Sequence, residues 1–87
     1  MLAGDRPYRI GPQVTVRPER FGGLAYHRAT GRLLVLRSTE IIELLEMLES
    51  YSSLDETIEA LGAPPDSVPA LLRSLETLEA SGVISAR

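Results

Sequence analysis

The hydrophobic period changes once along this chain, at Ser38, and that change confines the fold to one broad class. Before it, the strand period of two holds: Val14 and Val16 alternate with Thr15 and Arg17, and Leu24 and Tyr26 with Ala25 and His27. After it, apolar residues return every three or four positions, first as Ile41, Leu44, Leu45 and Leu48, then as Val68, Leu71, Leu72, Leu75 and Leu78. Strands first and helices second predict an α+β domain.

The punctuation fits that division. A first strand runs from Val14 and ends at Pro18, and a second carries Leu24 to His27. Ala29-Thr30-Gly31 makes a short hairpin loop, with Gly31 free to take a positive φ. The third strand is Arg32 to Arg37, so two short connections predict a three-stranded antiparallel meander. Ser38 or Thr39 caps the first helix. Ser53 and Glu56 have capping-box spacing at the start of a second helix over 54–61, which Gly62 ends. Asp66 or Ser67 caps a third helix that tolerates Pro69 in its first turn and stops at Gly82. The order resembles a small winged-helix arrangement with its sheet placed first. Residues 1–11, punctuated by Gly4, Pro7 and Gly11, read as loosely held, and Val83-Ile84 as a last apolar contact.

Eighty-seven residues make one domain with one small core. The chain has no cysteine, which excludes disulfides, thiolate catalysis and cysteine-held metal clusters. It has no apolar run of about 18 residues for a membrane span, and the N-terminus lacks an apolar signal core, so a cytoplasmic location is expected. Charge is unevenly placed. Seven of the nine arginines lie at or before Arg37 with only two acids, and ten acids follow with two arginines. A basic half joined to an acidic half suggests a peptide or protein partner more than a polyanion.

Catalytic chemistry finds little support. His27 is the only histidine, and no second histidine, cysteine nucleophile or glycine-rich phosphate loop accompanies it. It reads as a partly exposed sheet residue. Glu40, Glu43, Glu46 and Glu49 follow the solvent side of the first helix and do not converge as hard-cation ligands. No cofactor is expected. A winged-helix DNA-binding regulator is the main alternative function. Against it, the second helix carries Asp55, Glu56 and Glu59, and the third sets Glu76 and Glu79 beside Arg73, so both would repel a duplex. A domain that only self-associates is a further alternative.

The third strand carries the sharper expectation. Leu33 to Leu36 is apolar throughout, although a strand covered on one face usually alternates. A meander leaves this strand at an edge, and edges are normally blunted by charge, proline or a bulge. Here only the ends, Arg32 and Arg37, are charged. One reading covers both faces from within the domain, with helices on one side and the N-terminal segment on the other. The other reading makes the edge a template for a strand from another chain, with Leu72 and Leu75 of the third helix lining a groove beside it. Whether Val83-Ile84 covers the edge stays open at this level.

Several short stretches also resemble a known family. Pro12-Gln13-Val14, Val16-Arg17-Pro18-Glu19, Phe21-Gly22 and Ala25-Tyr26-His27 are similar to the peptide chaperones of mycofactocin biosynthesis, as are Arg32-Leu33 and Leu36-Arg37-Ser38. These belong to the PqqD-like recognition elements of ribosomally made, post-translationally modified peptides. The specific signal covers about residues 8–38, and Leu34-Val35 departs from the more polar and aromatic pair of the pattern. The resemblance implies a non-catalytic domain, a three-stranded sheet followed by three helices. The leader of a short precursor peptide would add to the third strand and lie against the third helix. The domain would then deliver it to a radical S-adenosylmethionine enzyme that modifies the peptide's C-terminal valine–tyrosine end. By position, Leu33, Leu34, Val35, Leu36 and Arg37 would form the pairing edge, and Leu72, Leu75, Glu76 and Glu79 the opposite wall.

Overall fold

The computed structural model describes residues 2–87. Strands β1 (Tyr8–Ile10), β2 (Val14–Glu19), β3 (Gly22–His27) and β4 (Arg32–Leu36) precede helices α1 (Thr39–Met47), α2 (Leu54–Leu61) and α3 (Val68–Ala80), and β5 (Ile84–Ala86) closes the chain. Single 3₁₀ turns at Leu48–Ser50 and Pro65–Ser67 join the helices. The meander β2-β3-β4 is the antiparallel sheet expected from the sequence, and its last strand, β4, is the third strand of that reading.

Helices α1 and α2 begin where a side chain can satisfy a free N–H group of the first turn, whereas Ser67 at the start of α3 makes no such bond. The Ser38 hydroxyl accepts from the Ile41 N–H at 3.2 Å, and the Ser53 hydroxyl from the Glu56 N–H at 3.1 Å. Gly62 ends α2 in the left-handed conformation, at φ 73°. Ile41, Ile42, Leu44 and Leu45 of α1 meet Leu71, Leu75 and Leu78 of α3 in one core with Ala25 of β3. The sheet accommodates α1 closely because β3 is small on that side. A Cβ at Gly23 would collide with the Ile42 side chain, and one at Gly22 with the Leu36 carbonyl.

A second, two-stranded sheet was not expected. β1 pairs antiparallel with β5, setting Tyr8 opposite Ala86 and Ile10 opposite Ile84. Residues 8–10, within the stretch that reads from the sequence as loosely held, thus have a strand partner; Met1 lies outside the described residues. Tyr8 is only 2% exposed, and its hydroxyl accepts from the Ala3 N–H at 2.9 Å. The carbonyls of Arg6 and Gly4 accept from the Leu54 and Asp55 N–H groups, so this segment caps α2. Burial and capping together offset the ordering entropy of the N-terminal stretch.

The same pairing decides what the C-terminal residues do. Val83 and Ile84 are buried, and β5 is taken up by β1. The tail does not lie along β4.

Candidate functional site

Bonded and unbonded residue pairs alternate along an antiparallel ladder, so one hydrogen bond sets the pattern for the whole sheet. The Arg28 N–H donates to the Gln13 carbonyl at 2.7 Å, one step beyond the Val14–His27 pair. Val14–His27 and Val16–Ala25 are then unbonded pairs, and Ala25 and His27 direct their backbone groups at β4. Arg32, Leu34 and Leu36 of β4, opposite His27, Ala25 and Gly23, face β3 in turn. Leu33 and Val35 are left with N–H and C=O groups pointing out of the sheet. Among the described residues no other strand adjoins β4.

The side chains of β4 divide in the same alternation. Leu34 and Leu36 are half-buried and pack against the core. Leu33 and Val35 are 56% and 50% exposed on the opposite face, beside Tyr26 and Leu24, their cross-strand partners. The reading in which both faces are covered from within the domain does not hold: the N-terminal segment goes to β5 and α2, and the outer row of β4 stays bare. With Phe21 and Tyr26, Leu33 and Val35 are the exposed large hydrophobic residues among those described.

A cleft of about 320 Å³ runs beside the edge. Leu34, Val35, Leu36, Arg37 and Ser38 form one wall, Ser74, Thr77 and Leu78 of α3 the other, and Ile41 of α1 contributes to the lining. Of the residues expected at the site, Leu34, Val35, Leu36 and Arg37 line this cleft, Leu33 lies on the edge outside it, and Leu72, Leu75, Glu76 and Glu79 do not line it. Leu75 is 0% exposed and belongs to the core. Successive residues turn by about 100° around a helix, so Leu72, Glu76 and Glu79 lie on one side of the Leu71–Leu75–Leu78 stripe, and Ser74 and Thr77 on the other. The cleft takes the second side. Two hydroxyl residues three apart beside an apolar stripe were the available signal. Which flank meets β4 depends on how α3 lies across the sheet, and no periodicity reports that.

His27 stands half-buried on the inner row of β3, and its Nδ1 is buried without a hydrogen-bond partner among the described residues. Among those residues no three His, Asp or Glu side chains converge on a metal-binding point. No described helix is long and apolar enough to cross a membrane.

One unblocked sheet edge beside an apolar, hydroxyl-bearing cleft marks out a small α+β module. Residues 7–85 match the family described as the peptide chaperone MftB family, and the chain belongs to it. Its role there is that of a chaperone and not of an enzyme. Among curated relatives, the peptide chaperone MftB of Mycobacterium tuberculosis is 32% identical over 83 residues, covering 95% of this chain and 76% of the relative. Those of Mycolicibacterium smegmatis and Mycobacterium ulcerans are each 31% identical over 80 residues, covering 92% of this chain and 78% and 73% of the relatives. No solved structure matches the chain significantly.

Proposed function

We propose that this domain is the precursor-peptide chaperone of a mycofactocin pathway. It captures the leader of a ribosomally made peptide as a fourth strand on β4 and presents it to a radical S-adenosylmethionine maturase, in the cytoplasm. The observation that carries the reading is the open β4 edge, where Leu33 and Val35 turn two N–H donors and two carbonyls outward beside the cleft.

The magnitudes require both parts of the site. Four added backbone hydrogen bonds contribute a few kcal/mol, at roughly 0.5–1.5 kcal/mol each. Micromolar binding needs about 8 kcal/mol. The cleft supplies the difference. Alternate side chains of an added strand fall on the inner face, where Leu34, Leu36, Ile41 and Leu78 can bury them. Burying two leucine-sized groups adds on the order of 3–6 kcal/mol before ordering costs.

Titration of the labelled domain with its precursor peptide tests the reading. The largest amide shifts are expected at Leu33 to Arg37 and at Ser74 to Leu78. Shifts confined to α2 and β1 would refute the assigned site.

A further inference from the structure

The charge around the edge narrows the class of peptide that fits. Arg32 and Arg37 bracket the open strand, five steps of about 3.3 Å apart, or about 16 Å. Both are exposed, and neither guanidinium has a hydrogen-bond or ion-pair partner among the described residues. Three other arginines are engaged, while Arg6, Arg9, Arg20 and Arg73 share the lack of a side-chain partner among the described residues but lie outside β4 and the lining of its cleft. Arg17 pairs with Glu19 at 2.8 Å, Arg28 donates to the Thr15 hydroxyl and the Pro12 carbonyl, and Arg87 donates to the Tyr51 carbonyl. Among the described residues no carboxylate lines the cleft, and Arg37 is the one charged side chain in its lining. Glu40 follows Arg37 by three positions but makes no ion pair with it. A chain of net charge −3 thus sets two unpaired cations at the ends of this edge.

We propose that the β4 edge selects an acidic peptide: an extended stretch of about four residues with apolar side chains, bounded at each end by Asp or Glu. This rests on the strand-addition reading above and specifies its ligand. The apolar stretch matches Leu33 to Leu36 in length, and the carboxylates fall beside Arg32 and Arg37. Because a cation stands at each end, the charges do not choose between parallel and antiparallel addition. The two unlike walls of the cleft make that choice. The acidic helices turn such a peptide away from the rest of the surface, so the charge pattern also guides its approach.

Exposed ion pairs are modest, so the expected effect is a preference and not an absolute requirement: two of them give about tenfold in affinity at low salt. The experiment uses three synthetic peptides with one alternating valine–threonine core, flanked at both ends by glutamate, by glutamine or by lysine. Binding is read by calorimetry at low and high salt, with amide spectra locating the site. The glutamate peptide is expected to bind best, the lysine peptide worst, and the gap to shrink at high salt. The double variant Arg32→Gln with Arg37→Gln should bring the glutamate peptide down to the glutamine peptide's affinity. A control with the same loss of net charge elsewhere, Arg9→Gln with Arg73→Gln, should keep the preference. Circular dichroism confirms that both variants fold.

Equal binding of the glutamate and glutamine peptides, with shifts at Leu33 to Arg37, overturns the acidic selectivity and leaves strand addition standing. An equal loss in the control overturns it as well, because the effect is then overall charge. If no peptide moves Leu33 to Arg37, strand addition fails and the selectivity fails with it.

Discussion

Val35 stands directly opposite Leu24 across the β3–β4 ladder, in a pair that exchanges no backbone hydrogen bonds. Its N–H therefore points to the open edge, while that of its neighbour Leu34 points to Ala25 inside the sheet. Proline at the two positions should separate binding from folding. Val35→Pro removes a donor that the folded domain does not use, and should weaken precursor binding by about tenfold or more with a small change in stability. Leu34→Pro removes a ladder bond and a core side chain, and should unfold much of the sheet. Calorimetry and thermal melts of the two variants check this. An intact affinity in Val35→Pro would show that the guest does not pair at this edge.

The two flanks of α3 make opposite predictions. Ser74 lines the cleft, whereas Glu76 lies on the other side of the buried stripe. Both side chains are exposed, so a large replacement at either leaves the core alone. Ser74→Trp fills the cleft and should abolish binding of the precursor peptide. Glu76→Trp should leave its affinity within about twofold, since exposed substitutions away from a site rarely exceed ±0.5 kcal/mol. The reverse result would favour the wall expected from the sequence.

Leu75 separates stability from recognition. It is fully buried between α3 and the core, so Leu75→Ala should lower unfolding free energy by roughly 2–5 kcal/mol in a urea titration. The margin of a domain this small is about that size, so the variant should be partly unfolded at room temperature. The fraction that stays folded should bind the precursor peptide normally, because Leu75 does not line the cleft.

Much of the fold was legible because it is local. The three strands of the meander, the capping serines Ser38 and Ser53, and Gly62 as the end of α2 all follow from neighbouring residues. What escaped is long-range. Tyr8 sits in a stretch broken by glycine and proline, and only its pairing with Ala86 at the far end of the chain makes that stretch a strand. The site divides along the same line. The β4 half follows from Leu33 to Leu36 and two short connections. The α3 half depends on the rotation of a helix about its own axis, and a stripe of leucines shows which side is buried without showing which flank faces β4.

The opposite edge of the sheet explains by contrast why β4 is the receptive one. On β2, Val14, Val16 and Pro18 lie in unbonded pairs with β3, so their backbone groups point outward. The Val14 N–H already donates to the Gly11 carbonyl at 3.0 Å, and Pro18 has no N–H to offer. Only the Val16 donor remains in the middle, which is how natural sheets discourage unwanted pairing. β4 carries neither device. Pro18→Val should restore a donor to the β2 edge with little effect on the ladder. Its expected consequence is self-association: sedimentation velocity should give a coefficient that rises with concentration more steeply than for the unaltered chain, while precursor binding at β4 stays intact. If the variant sediments like the unaltered chain at all concentrations, Pro18 is not what keeps that edge closed, and the difference between the two edges must come from Arg32 and Arg37.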